Sequence, residues 1–437
     1  MRLSTALFGD SANVLEERNF QLLMVATLPS VLGSTLVSPI LETLTGPFDV
    51  SLAAIGLLVT VHSAPAIVLI PFVGALTDRI GRKPVLVVAL TLFGAGGVGI
   101  AATTDFQVAL GLRFLQGIGA AGLGPVIVTS IGDLYTGPRE ATAQGFRLGV
   151  GGSTNVVFPV IAGALVALSW QYPFFLYGIA LPIAVLVYVF FEDPSTGPDA
   201  STDKSNDDGE DGVGASSDDP GVTAEADRSE YARSLARLAG QPRPFAVLLG
   251  RAVPTLVFVG FLTYNSAIVV ELLDGTPGEA GLLVAVVSSV YAVSGTQSGR
   301  ITAFFSRRVY PLVGSNVLMG GGLVVVGYSP TLWSAAVGAA SIGVGFGFSI
   351  PLYRSLLTGY APDTLRGGLV SLGEASSRVA STLVPVAMGS AIGATQSVVG
   401  LQVALQWTVA GVGIVGATIG FVCAAVLLFG PSVSDPL

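Results

Sequence analysis

Arg113, Glu374 and Arg378 each interrupt a long apolar run, where a charge is held only at a cost. At the centre of a lipid layer that cost is about 3 kcal/mol or more unless the group is paired or wetted. Glu374 and Arg378 stand one helical turn apart with the acid first, the better order for an ion pair on one face. Either the two neutralise each other, or a solute or a proton separates them. Arg113 also has two readings. It reaches outward toward Asp105 along its aliphatic stem, or it faces inward and holds an anionic group or biases the proton affinity of a nearby carboxylate. His62, the only histidine, either carries a proton near neutral pH or packs as a neutral ring. Asn155, Asn265 and Ser34 offer uncharged hydrogen bonds to a ligand, although such groups also tie helices together.

Several chemistries have no residues to support them. A single cysteine, Cys423, excludes an intrachain disulfide, and no Cys/His cluster has metal-site spacing. No G-x-x-x-x-G-K-S/T phosphate loop occurs, and no nucleophile and base stand in a catalytic pattern. No enzyme, no metal and no cofactor are therefore expected.

The elements that hold these residues follow from composition. Of 437 residues, 51% are hydrophobic and 11% charged, and mean hydropathy is +0.75. So few charges cannot cover a water-facing surface, for which about 25% is usual. Twelve apolar runs are long enough to cross a bilayer as helices: 20–41, 53–76, 84–103, 107–131, 144–168, 172–191, 245–270, 280–303, 309–328, 331–353, 367–392 and 401–429. Helices are required because backbone groups in lipid must bond within their own segment. The expected fold class is an all-α membrane protein of twelve transmembrane helices in two six-helix bundles.

Basic residues set the orientation. The alternate loops starting with the one after the first run hold no Lys or Arg. The N-terminal segment and the remaining loops carry Arg2, Arg18, Arg79, Arg82, Lys83, Arg139, Arg147, Arg233, Arg237, Arg243, Arg251, Arg300, Arg307, Arg308 and Arg366. The positive-inside rule then places both termini in the cytoplasm and the chain in the plasma membrane. The first run is expected to act as its own uncleaved insertion signal.

Between the sixth and seventh runs lies an acidic tract. Residues 192–230 hold thirteen acids against Lys204 and Arg228, a local balance of −11 in a chain whose net charge is −8. Such a tract cannot bury a core, so disorder is expected, with a short surface helix near 229–238. It also argues against nucleic acid as a partner, since phosphate contacts need clustered cations. The expected divisions are a cytoplasmic segment 1–19, a bundle 20–191, the linker 192–244, a second bundle 245–430 and a tail 431–437.

The loop after the second run reads Gly74-Ala-Leu-Thr-Asp78-Arg79-Ile-Gly81-Arg82-Lys83. It matches the signature G-x-x-x-D-R-x-G-R-K/R without a gap, and the chain resembles the major facilitator superfamily in this loop, in helix number and in its 6+6 division. Gly299-Arg300-Ile-Thr-Ala303-Phe304-Phe-Ser306-Arg307-Arg308 resembles an eroded copy in the second half, with Ala303 in place of the Asp. Arg113-x-x-x-Gly117-x-x-x-Ala121 is similar to the family's helix-4 motif. The fifth run keeps Pro159 and Gly163 of the antiporter motif G-P-x-x-G-G but has Phe158 and Ala162 for two of its glycines.

The resemblance implies a secondary active transporter of a small solute, working by alternating access and driven by a coupling ion, H+ above others. Gly74, Asp78, Arg79, Gly81, Arg82 and Lys83 would form a latch between the bundles, with Asp78 meeting the start of the eleventh helix. Gly74 is expected to serve close packing and Gly81 a tight turn. Arg113, Glu374, Arg378, Asn155, His62, Asn265 and Ser34 are the candidates for the substrate or coupling site. A monomer in the lipid bilayer is expected. A drug/proton antiporter-type efflux pump, or a non-transporting membrane sensor on the same scaffold, are the alternatives.

Overall fold

A computed structural model describes residues 9–193, 220–302, 304–305, 307 and 309–430. The side chains of residues 9–12, Ser34, Pro71, 220–229 and Asp363 lie outside that description, as do the tail and most of the acidic tract. Ala303, Ser306 and Arg308 of the second signature copy are also outside it.

The first six spanning helices are α1 (Arg18–Thr35), α2 (Leu57–Ile80), α3 (Arg82–Gly99), α4 (Phe106–Leu134), α5 (Gly137–Val166) and α6 (Ala180–Phe190). The second six are α7 (Pro242–Ala267), α8 (Pro277–Thr302), α9 (Val309–Gly327), α10 (Leu332–Tyr360), α11 (Asp363–Val399) and α12 (Leu401–Phe429). Short helical turns extend α1, α2, α3, α6 and α7, and among the described residues twelve segments are long and apolar enough to cross a membrane. No strand occurs among the described residues.

Several helices outrun their apolar windows. α4 continues to Leu134, α5 begins at Gly137, α10 continues to Tyr360 and α11 begins at Asp363. Hydropathy marks the roughly 20 residues in hydrocarbon, whereas a nucleated helix propagates into water at little further cost. Arg147 and Arg251, counted with the basic loops, consequently sit inside α5 and α7. Pro362 occupies the N-cap position of α11 without a side-chain cap bond.

The ends of the chain gather on one face. Glu17 pairs with Arg139 at the start of α5, Arg18 with Glu192 after α6, and Arg243 at the start of α7 donates to the Gly430 carbonyl after α12. This is the terminal face; the opposite one is called the far face. A helix over Pro220–Ala239 lies against the second half at the terminal face, longer than the expected turn near 229–238. Its Leu238 is fully buried, and Tyr231 and Leu235 close over Gly368 of α11.

Within the second half, Gly345 of α10 meets the Ser315 carbonyl of α9, and Gly347 meets the Tyr291 carbonyl of α8. A Cβ at either would stand 2.4 or 2.6 Å from that oxygen, so the run of small residues is what lets these backbones touch. Phe174 is 1% exposed and packs beside Trp170 inside the first half.

Candidate functional site

The two halves meet at the far face, backbone against backbone. A Cβ on Gly163 of α5 would lie 2.4 Å from the Pro277 carbonyl of α8, and one on Gly281 of α8 would lie 2.5 Å from the Pro159 carbonyl. A Cβ on Gly389 of α11 would likewise lie 2.4 Å from the Ala53 carbonyl before α2. Ser38 donates to the Leu262 carbonyl across the halves, and Thr60 to the Thr382 carbonyl at 3.1 Å. At this closure, burial holds the Glu42 carboxyl above the ordinary glutamate value of 4.5, and the nearby Glu271 of the other half adds to the effect.

Toward the terminal face the halves separate. Gly74 of α2, Gly145 and Gly149 of α5, Gly299 of α8 and Gly367 of α11 have no neighbour within 4 Å where a Cβ would stand. Arg378 is exposed although it lies about four turns into α11. The protein is thus closed at one face and open at the other, with a cleft between.

At the inner end of the cleft is a polar cavity of about 180 Å³. It is lined by Ser30 and Gly33 of α1, His62 and Ser63 of α2, α4 from Gly117 to Pro125, and Arg378 from the other half. His62 is 8% exposed, and its Nδ1 is buried without a hydrogen-bond partner. A Cβ on Gly33 would stand 2.1 Å from its Nε2, so only glycine lets the imidazole sit against α1. The charged groups acting on this ring are Arg113 and Arg378. A larger space of about 440 Å³ between α7, α11 and α12 is lined almost wholly by apolar residues such as Leu256, Met388 and Trp407.

Arg113 follows neither expectation. It is 0% exposed, and Asp105 caps α4 through the Gln107 and Val108 amides instead of meeting it. The guanidinium donates to the Leu58 carbonyl (3.1 Å), the Gly33 carbonyl (2.9 Å), Gln116 Oε1 (2.5 Å) and the Tyr177 hydroxyl (3.3 Å). It ties α1, α2, α4 and the turn before α6 together, and carbonyl dipoles stabilise its charge where a carboxylate was expected.

Glu374 is paired, with a different partner from the one expected. Arg251 Nη2 of α7 lies 3.1 and 3.2 Å from its two oxygens, and Nη1 lies 2.7 Å from the Ser377 hydroxyl. The Arg251 side chain is 7% exposed and that of Glu374 51%. The Arg378 guanidinium makes no hydrogen bond among the described residues, though it feels the charges of Glu374 and Arg251. Arg251, counted above only with the basic loops, is the unexpected member of the site, and its place inside the apolar run 245–270 was the available signal.

The signature loop is folded on its own half. Arg82 bridges Asp78 Oδ1 at 2.8 Å and Asp133 Oδ2 of α4 at 2.9 Å, and the Lys83 amide donates to Asp193 at 2.9 Å. Gly81 turns the chain at φ +89° and ψ 168°, a region open to glycine alone. Arg79 is exposed, and Asp78 lies largely in solvent. Gly74, expected in close packing, faces open space.

Asn155 of α5 donates to the Tyr291 hydroxyl of α8 at 3.4 Å, beside a cluster in which Phe258 and Phe346 stack with centroids 4.4 Å apart. Its Oδ1 is buried without a partner. Asn265 is 0% exposed and donates to the Ala280 carbonyl at 2.9 Å, a tie between α7 and α8. The backbone of Ser34 lies in α1; its side chain is outside the described residues. Among the described residues, no group of His, Cys, Asp and Glu has the geometry to hold a metal.

The family model of the Major Facilitator Superfamily matches residues 23–270. The chain is 33% identical over 166 residues to the bacillibactin exporter of Bacillus subtilis (strain 168), which covers 36% of this chain and 41% of that protein. It is 26% identical over 164 residues to the quinolone resistance protein NorA of Staphylococcus aureus (strain Mu50 / ATCC 700699), covering 37% and 42%. These matches span less than half the length of either curated relative. In three dimensions it is similar to a bacterial homolog of the human lysosomal transporter Spinster in an inward-facing, unoccupied conformation, with TM-score 0.74, 16% identity and coverage of 95% and 98%. A D-xylose-proton symporter is similar at TM-score 0.70 and 15% identity, over 96% and 98% of the chains. Identities this low establish the fold alone.

Proposed function

Because the chain belongs to the major facilitator superfamily, whose members are transporters and not enzymes, we propose that it exports a small solute across the plasma membrane by alternating access. The observation that carries this reading is the one-sided cleft: a mid-membrane guanidinium, Arg378, lies open toward the terminal face while glycine backbones seal the far face. A path of this form admits a solute from one side and must invert to release it. The basic loops put the terminal face in the cytoplasm, so loading occurs from inside. Export as the direction is supported by the names of the relatives, an exporter and a drug-resistance protein.

Coupling to H+ is assigned to the Glu374–Arg251 pair. Among the described residues of the spanning helices, Glu374 is the carboxylate set more than two turns from either helix end. A proton on Glu374 removes the charge that holds Arg251, and α7 is then free to move against α11. The latch residues Asp78, Arg79, Arg82 and Lys83 await the second half, which they would meet when the terminal face closes.

Purified protein in vesicles loaded with a pH-sensitive dye, under an imposed proton gradient, tests the proposal. Addition of a transported solute from a metabolite and drug panel should dissipate the gradient in the wild type and not in Glu374→Gln. Binding of solutes without movement of solute or proton would make the protein a sensor and overturn the transport reading.

A further inference from the structure

We propose that the cavity between His62 and Arg378 is a subsite for a carboxylate, so that the solute is an organic anion. The carboxylate is bound by the pocket itself; that the anion is also carried rests on the transport reading above.

Charge accounting around the cavity leads there. The charged groups facing Arg378 are Glu374 on its own helix and Arg251 on α7, and those facing His62 are Arg113 and Arg378. The groups so named are three guanidiniums and a single carboxylate. Two of them have their hydrogen bonds satisfied: Arg113 by two carbonyls, Gln116 and Tyr177, and Arg251 by both oxygens of Glu374 and by Ser377. Arg378 keeps its whole donor fork, exposed to the cleft, with no hydrogen bond among the described residues.

The opposite wall supplies a second and independent sign of a ligand. His62 is more than nine-tenths buried, lines the cavity, and has an Nδ1 without a partner. A buried polar atom left unmade costs about 1–3 kcal/mol, a cost that a turn of the ring toward a ligand in the cavity would relieve. No acid is among the described residues lining the cavity, and Glu374, the acid that acts on Arg378, is held by Arg251. A planar guanidinium accepts a carboxylate through two parallel bonds, which makes the carboxylate the best-matched anion. A volume of about 180 Å³ holds such a head group with a small ring, and the rest of a larger solute extends into the open cleft.

The test uses three probes of one shape and different charge on the full-length protein in detergent: benzoate, benzamide and benzylamine, measured calorimetrically. Benzoate should bind at least about tenfold more tightly than benzamide, a difference of about 1.4 kcal/mol, and benzylamine not at all. Arg378→Gln should remove the preference for benzoate and leave benzamide binding unchanged. Arg378→Lys keeps the charge, loses the fork and should retain part of the preference. This second variant decides the matter if Arg378→Gln fails to fold. Equal binding of benzoate and benzamide, no binding of benzoate, or an unaltered preference in both variants would overturn the proposal. The outcomes separate the two readings. Benzoate held through Arg378 in a protein that moves no solute leaves the subsite standing and removes transport. Flux of a neutral or cationic solute that survives Arg378→Gln does the reverse.

Discussion

Glu374 turns both carboxylate oxygens to Arg251 of α7, and the guanidinium of Arg378, one turn along its own helix, stays unbonded. Hydrogen bonds to charged groups are worth about 1.5–3 kcal/mol each, and half-exposure of Glu374 reduces the electrostatic share. Glu374→Ala should therefore lower the melting temperature by several degrees, since it strands a buried Arg251. Arg251→Leu combined with Glu374→Leu should cost less than the sum of the single changes, because residues in contact do not act independently. Additive melting shifts in a double-mutant cycle would show that the pair has no energetic standing.

Arg113 is a structural tie, and its removal should damage folding rather than selectivity. Arg113→Leu deletes four hydrogen bonds at 0% exposure and leaves Gly33 and Leu58 without their common donor. A loss of at least about 3 kcal/mol is expected from charged hydrogen bonds of this number. Fluorescence-detected size exclusion should show most of the protein aggregated, whereas Arg378→Leu, whose side chain is open to the cleft, should elute normally.

The far-face seam can be locked covalently. A Cβ on Gly393 of α11 would stand 3.6 Å from the Ala53 Cβ, within the range of a disulfide. In a Cys423→Ser background, Ala53→Cys with Gly393→Cys should oxidise readily and reduce vesicle flux at least about tenfold, with recovery on reduction. Gly74→Cys with Gly367→Cys, facing open space at the other end, should stay reduced in the same preparation. Full flux in the oxidised double-cysteine protein would exclude any need for the seam to part.

Glu42 gives the seam a pH dependence. Its folded-state carboxyl is held above 4.5 by burial first and by Glu271 second. A raised folded value means the stabilising protonated form is complete below the ordinary value and is lost as pH climbs through the higher one. Glu42→Gln removes the charge, so its melting temperature should match the wild type in acid and exceed it increasingly toward neutral pH. A constant difference across that window, measured by thermal melts at closely spaced pH, would contradict this.

The sequence made the spans and the two sets of six legible because both depend on hydrocarbon thickness and on charge counts along the chain. The signature turn was equally readable, as Gly81 is needed wherever φ is strongly positive. The partners of Arg113 and Glu374 were not. Two of the Arg113 acceptors are main-chain oxygens of Gly33 and Leu58, and every residue type has such an oxygen, so no letter announces them. The pairing of Glu374 was misjudged for a related reason: i,i+4 spacing describes one helix, and Arg251 approaches from another. Likewise, the signature says that Gly74 is small without saying what stands beside it, and here the space is open.

The bare main-chain contacts at Gly163, Gly281 and Gly389 bear on how the molecule moves. Interlocked rotamers resist separation because each must be withdrawn from its socket. Here no teeth mesh at those three points. On the transport reading, water entering the crevice, rather than disentangling of side groups, then governs how fast the far face parts, and a single methyl added at any of the three should wedge it ajar.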